Sequence, residues 1–371
     1  MKLGFKKKSA FHELKALNEG SEEELRKKSY PYLKYGKPSE EMIAESMKSY
    51  AKYRKQWKVC GDEYEPTSFP VNVDIETSSF CNLRCKMCNW GFDPGDDPGS
   101  ESFDRFQSFK NSCGNMDIHL YRNIVNEVAK ERGYAVKLNW RGEPLMNKKI
   151  VQMIRFAKDQ GVIEVLMNTN GVLLNPRLSK DIVEAGLDMI VFSFDGITKK
   201  TYESIRKGSN FVAALSNLLY FIKIRDEHKE ATGSPKPLIR VQMVVMDENK
   251  HEIDSFYNFF SPIVDLISTQ DYTSRGEKNI RLTEDTLPMG RKTCPQIWQR
   301  IIVTWDGNVG MCCRDWDLYH PIGKLNYPDN TIKSIWSGNE LKEIRETHLE
   351  ESLESLKACK TCTYKESYKW K

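Results

Sequence analysis

Ser79-Phe-Cys-Asn-Leu-Arg-Cys-Lys-Met-Cys-Asn89 sets three cysteines, Cys81, Cys85 and Cys88, at a C-x3-C-x2-C spacing. Three thiolates packed this closely in one loop suit a [4Fe-4S] cluster, whose full thiolate ligation takes four cysteines. One iron is left open to a ligand that chelates through an amine and a carboxylate. A structural zinc site is the alternative, for which C-x2-C pairs are common and a histidine often completes the set. No histidine lies near these three.

Outward from this loop the pattern alternates strand and helix. Residues 71–77, 134–140, 163–168, 189–194, 238–246 and 263–268 read as strands, with amphipathic helical stretches between most of them. Such alternation implies a parallel sheet with right-handed crossovers. The triad at the end of the first strand resembles the radical SAM enzyme family. The resemblance implies an α/β fold, a partial (β/α)6 TIM-like barrel with catalytic loops at the carboxyl ends of its strands. It also implies that S-adenosylmethionine (SAM) closes the open iron and is cleaved to a 5'-deoxyadenosyl radical. Within the strands, Asn72, Asp74 and Glu76 share one face, as do Lys137, Asn139 and Arg141, and Arg240 with Gln242. With Val73, Ile75, Leu138, Val241 and Met243 turned to the helices, these polar groups line the barrel as a cavity for a polar ligand. The alternative is a sheet covered on one side only, with its polar face in water.

Trp140-Arg-Gly-Glu-Pro144 resembles the family's Gly-Gly-Glu-Pro motif, with Arg141 in place of a glycine. The resemblance assigns Glu143 to the SAM amino group. Asn168-Thr-Asn-Gly171 and Ser193-Phe-Asp-Gly196 resemble family segments at the SAM ribose and carboxylate, which makes Asn170, Ser193 and Asp195 candidate contacts. The same residue types, with Thr169, also serve as caps and turn formers. Arg206 is the candidate partner of the SAM carboxylate, with a solvated surface arginine as its alternative. Met87 stands where many relatives place an aromatic ring, and no glycine-rich adenine motif follows the fifth strand.

A second cysteine set follows residue 290. Cys294, Gly307 and Cys312 are spaced C-x12-G-x4-C, and the chain then carries Cys359-Lys-Thr-Cys362. This pattern resembles the SPASM and twitch extensions of radical SAM proteins. A hairpin turn at Asp306-Gly307 brings Cys294 and Cys312 to one end, and one helix from 331 to about 348 returns the chain to them. The four ligands then hold one auxiliary [4Fe-4S] cluster, with tetrahedral zinc as the rival. Cys313, Cys60 and Cys113 read as buried, inert thiols, each with hydrogen-atom donation into the cavity as the alternative. The expected domains are an N-terminal helical extension over 1–66, the barrel over 67–285 and the auxiliary domain over 286–371.

The chain has 371 residues, 39% hydrophobic, and a net charge of +4, so nothing in it demands a nucleic acid. No stretch approaches a membrane span. Ten cysteines in clustered spacings fit metal ligation in a reducing cytoplasm rather than a disulfide framework. The expected activity is oxidation of an alcohol on a small polar substrate, carbohydrate or aminocyclitol in kind. Flavodoxin or ferredoxin is the electron donor and the auxiliary cluster the acceptor. Asp271, Tyr272 and Arg275 are candidate bases. The alternatives are a redox-neutral epimerase, a peptide maturase and a zinc-stabilised binding protein.

Overall fold

The computed structural model describes residues 47–88, 111–272 and 293–360, together with Ser108 and Cys362. Its strands are β1 (Asn72–Ile75), β2 (Arg84–Cys85), β3 (Ala135–Lys137), β4 (Glu164–Thr169), β5 (Met189–Ser193), β6 (Arg206–Lys207), β7 (Leu238–Val245), β8 (Leu266–Asp271), β9 (Arg300–Val303), β10 (Asn308–Gly310) and β11 (Pro321–Lys324). A nine-stranded sheet runs in the order β11-β10-β9-β1-β3-β4-β5-β7-β8. From β9 to β8 every neighbouring pair is parallel, and β10 and β11 add an antiparallel edge. The first strand of the second cysteine region therefore extends the barrel sheet itself, beside β1. The separate pair β2 and β6 is a short ribbon.

Crossovers are made by α2 (Ile118–Lys130), α3 (Ile150–Asp159), α4 (Pro176–Glu184), α5 (Lys199–Ile205), α6 (Phe211–Thr232) and α7 (Ile253–Phe260). In α2 the Asp117 side chain accepts from the His119 amide, and Ile118, Tyr121, Ile124, Val125 and Val128 make one buried stripe. These stripes pack on Val73, Ile75, Val136, Val165, Ile190, Val241 and Met243, each buried in one continuous core. Burying each such side chain contributes about 1.5–3 kcal/mol.

The inner face is layered rather than polar throughout. Leu166, Met189, Val191, Leu238 and Leu266 form an apolar patch near the strand starts. Above it Asn139 accepts from the Asn168 amide (2.8 Å), and Gln242 donates to Gln270 (2.7 Å). The bottom is closed by α1 (Met47–Glu63), whose Tyr53, Trp57 and Cys60 join the barrel core, while residues 1–46 of the expected extension lie outside the described residues. Tyr53 stacks on Tyr134, the Arg300 guanidinium lies 4.7 Å from the Trp57 ring, and Gln299 Nε2 donates to the Trp57 carbonyl.

Several expected boundaries move, and β1 and β3 end at Ile75 and Lys137 rather than at 77 and 140. The sixth parallel strand is 266–271 and not 263–268, because Ile263 and Val264 still donate to the Phe260 carbonyl and finish the turn after α7. The single helix expected over 331–348 is two, α9 (Ile332–Trp336) and α10 (Asn339–Leu349). The break is at Gly338, whose amide returns to Ile335 O at 3.0 Å. The Glu127 carboxylate of α2 accepts from the Ile332 and Lys333 amides and from the Tyr327 hydroxyl, fixing α9 to the barrel. Among the described residues no helix is long and apolar enough to cross a membrane.

Glu164 opens β4 beneath α1, and burial pushes its carboxyl up to about 7, against the opposing Arg54 charge. The folded protein therefore keeps a proton that the unfolded chain releases from about 4.5 upward. Stability should fall as pH rises between those values and level off above. Glu164→Gln should remove that slope and gain up to about 3 kcal/mol over the parent at pH 8. Urea midpoints at pH 5 and pH 8 test this, and equal pH slopes for both proteins would contradict it.

Candidate active site

The triad loop leaves β1 at the carboxyl end of the sheet. The Cys88 amide returns to Cys85 O at 3.0 Å, and β2 pairs Cys85 with Arg206 of β6. Cys85 is buried, and Cys81 and Cys88 are half-buried. Burial pushes the Cys81 and Cys85 thiols up to about 12, so at neutral pH they carry protons unless a cation draws them into thiolates. Three thiols brought together by one loop are a donor set that fits a polynuclear iron site.

Around the triad the backbone is tightly fixed. Gly142 has φ of 69°, and a Cβ there would lie 2.5 Å from Ser78 O and 2.6 Å from Phe80 O, which is why that position takes glycine. The next amide, Glu143 N–H, donates to Phe80 O (2.7 Å). The Glu143 carboxylate accepts from the Leu145 amide (3.2 Å), the Thr169 hydroxyl (2.7 Å) and the Asn170 amide (2.8 Å). A carboxylate offers about four acceptor positions, so one remains. Burial raises this carboxyl to about 6, and a bound ammonium group would favour its ionised form.

The other expected SAM contacts divide. Asn170 donates to Asn82 in the triad loop and accepts from the Val172 amide, so its side chain ties β4 to the cysteines. Asp195 accepts from the Val244 amide (2.7 Å) and lies 2.6 Å from Arg206, both side chains buried. Arg206 is thus no solvated surface arginine, and its Nη1 is 3.8 Å from Cys85 Sγ. Ser193 ends β5 half-buried, in register with Gln242. Asp271 ends β8, Tyr272 follows it half-buried with its amide on Val245 O, and Arg275 lies outside the described residues.

The glycine-to-arginine departure at Arg141 has a structural reason. Its guanidinium makes a two-pronged, buried pair with Glu76, at 2.7 and 3.0 Å. It lies 4.3 Å from the Trp140 ring and 5.5 Å from the Trp316 ring, and donates to Trp316 O. Glu76 also accepts from the Trp305 amide, and Trp140 Nε1 donates to Cys313 O. Trp316 in turn packs against Cys81, Cys88 and Cys113. Sequence reasoning missed Trp316, whose partner Arg141 lies 175 residues away and whose cysteine partners lie farther still, whereas the altered motif at Arg141 was a usable signal.

The β9–β10 hairpin turns at Gly307 (φ 86°), as the Asp306-Gly307 pair predicts. Cys294, Cys312, Cys359 and Cys362 then line one cavity of ≈ 20 Å³, with Gln296, Ile297, Arg314, His348 and Ala358. The elements that bring them there are α8 (Gln296–Gln299), α10 and α11 (Lys357–Lys360). Burial raises the Cys312 thiol, and the neighbouring Cys313, Cys359 and Cys294 sulfurs push the same way. Four such donors around one space fit an iron–sulfur cluster. His348, Arg314 and Gln296 carry no motif and were not foreseen.

The family model described as the radical SAM superfamily matches residues 75–260, half of the chain. The chain belongs to that superfamily. The iron–sulfur cluster-binding SPASM domain matches residues 294–363. The radical SAM domain implies a [4Fe-4S] cluster, SAM and an external electron donor, and the SPASM domain implies further iron–sulfur ligation. The chain is 28% identical over 180 residues to the tungsten-containing aldehyde ferredoxin oxidoreductase cofactor-modifying protein of Pyrococcus furiosus, covering 48% of this chain and 45% of that protein. It thus spans less than half of that relative's length. BtrN in complex with AdoMet and 2-DOIA superposes with a TM-score of 0.50 at 16% identity, over 81% of this chain and 97% of BtrN. Streptococcus suis SuiB bound to precursor peptide SuiA superposes at 0.57 and 13% identity, over 92% of this chain and 79% of SuiB. At these identities both share the fold.

If Glu143 receives the SAM ammonium, affinity for SAM should weaken as pH falls through about 6, where the free carboxyl gains its proton. Glu143→Gln should flatten that profile and weaken binding at pH 7.5 at least about tenfold, from a charged hydrogen bond of about 1.5–3 kcal/mol. Equilibrium dialysis with labelled SAM measures both, and a pH-independent affinity in the parent counts against the assignment. Arg141→Met should lower stability by about 3–5 kcal/mol in urea, since it strands a buried carboxylate, and adding Glu76→Gln should recover part of the loss. Additive effects would mean the pair is not coupled.

Proposed function

We propose that this chain oxidises a carbinol carbon of a small polar substrate to a ketone. The observation that carries the reading is the pair of cysteine sites joined by one short segment. Cys312 lines the four-cysteine cavity, and Trp316, four residues on, packs against Cys81 and Cys88. When bound, the triad's cluster and SAM supply a 5'-deoxyadenosyl radical that takes one hydrogen atom from the carbon. The hydroxyl would lose its proton to a base, with Asp271, Tyr272 and Arg275 as the candidates, and Cys294, Cys312, Cys359 and Cys362 would hold the iron–sulfur centre able to take the remaining electron. Atoms and charge balance as one ketone, one 5'-deoxyadenosine, one proton and one electron.

Glu143 orients the SAM amine, and Arg206, held by Asp195, serves the carboxylate end while lying beside Cys85. The polar layer formed by Asn139, Asn168, Gln242 and Gln270 suits hydroxyl-bearing ligands. BtrN, crystallised with AdoMet and a second ligand, 2-DOIA, supports a pocket of this kind on the shared fold. Flavodoxin or ferredoxin is the proposed donor of the first electron.

One observation favours a second reading. Cys113 packs with Cys81 and Cys88 against Trp316, and its backbone is zipped to Ser79 through Gly114. A thiol there suits hydrogen-atom return in an epimerase, in which a thiyl radical is later reduced by one electron and one proton.

Carbon-deuterated polyols and aminocyclitols, offered with SAM and a reductant, decide between the readings. Oxidation should move deuterium into 5'-deoxyadenosine with ketone formed in equal amount, and loss of Cys359 and Cys362 together should leave 5'-deoxyadenosine but cut ketone at least about tenfold. Solvent deuterium at an inverted carbon, abolished by Cys113→Ala, would establish the epimerase instead.

A further inference from the structure

We infer that the side-chain amide of Gln296 donates a hydrogen bond to the sulfur of the second cluster and thereby holds that cluster's reduction potential up. The inference rests on the iron–sulfur reading of the four-cysteine cavity. Gln296 opens α8 two residues after Cys294, is completely buried and forms part of the cavity wall. Its Oε1 faces Cys313 Sγ, at 4.0 Å. Its Nε2, equally buried, finds no acceptor among the described residues.

A buried primary amide left without an acceptor is a costly arrangement, and native proteins rarely keep one without a reason. Ile297 and Ala358 contribute apolar wall, Arg314 and His348 bring donors, and the remaining lining residues, the acceptors a Gln296 amide could meet, are Cys294, Cys312, Cys359 and Cys362. Turned the other way, the amide would present its oxygen to these sulfurs, acceptor against acceptor. The orientation observed suits a site that becomes negatively charged when its thiols are deprotonated and inorganic sulfide enters. The Arg314 amide already points at Cys312 Sγ, at 3.4 Å, so Gln296 would add a side-chain donor to a backbone one.

A donor to cluster sulfur stabilises the reduced form, which carries one more negative charge, and so raises the potential. That direction suits a centre that must accept an electron from a substrate radical. Gln296 is therefore a positioning residue for the cluster and does not touch substrate.

The test uses the full-length protein loaded anaerobically with iron and sulfide. In a potentiometric titration followed by electron paramagnetic resonance, Gln296→Met should move the second cluster's midpoint to more negative potential. The triad's cluster, in the same sample, should stay where it is and serves as the internal control. An unshifted second midpoint at full iron content would overturn the inference while leaving the cluster reading intact. Protein with Gln296 intact that forms only one cluster would overturn the cavity reading and the inference with it. A second measurement needs no variant. In native protein labelled with amide-15N glutamine, the reduced second cluster should show a weak 15N coupling, and its absence would contradict the hydrogen bond.

Discussion

The buried pair of Glu76 with Arg141 is the constraint on which the catalytic end of the molecule depends. Glu76 follows β1 and Arg141 follows β3, so their two hydrogen bonds clamp neighbouring strands at the point where the triad loop departs. A pair this buried is weak evidence of net stabilisation by itself, because desolvation cancels much of the attraction. Its weight comes from what it organises. Through the Trp305 amide, the Trp316 carbonyl and the two tryptophan rings it fastens the second cysteine region over the mouth of the barrel. Gly114 is packed so closely under Trp305 that a Cβ would lie 2.3 Å from the ring. The contact is between surfaces fitted without slack.

Sequence periodicity made the parallel barrel legible, because each unit's strand and helix carry their own short-range pattern. Thus β5 and β7 fall within one residue of expectation, while β8 slipped three residues where an apolar turn containing Pro262 and Ile263 imitates a strand start. The triad's spacing likewise announced one cysteine group, since residues crowded into one loop are local information, and the second set comes together around one cavity from four separate positions. What was illegible is long-range. Nothing in Trp316 alone says that it meets Cys81 and Cys88, and nothing in Gln296 or His348 says that they wall the second cavity. The alternation rule also misjudged the inner face. It foresaw polar residues there, and the Leu166, Val191 and Leu266 layer beneath them was not recognised.

That layering separates two tasks. The apolar patch and α1 seal the bottom of the sheet, and the polar groups above are left to meet ligands at the carboxyl ends. Around Glu143 the site is built but not saturated: three donors hold the carboxylate in place, and one acceptor position stays open. At the thiols, burial alone would keep protons on sulfur. Both features suit cationic partners, such as the proposed ammonium group at Glu143 and iron at the cysteines.

The central claim is that the chain holds two iron–sulfur clusters, one on Cys81, Cys85 and Cys88 and one on Cys294, Cys312, Cys359 and Cys362. Anaerobic quantification of iron, acid-labile sulfide and zinc per chain tests it most directly. Two [4Fe-4S] centres require about eight irons and about eight sulfides with no zinc. About four irons accompanied by one equivalent of zinc would contradict the account, because the second site would then be structural and have no means of accepting an electron.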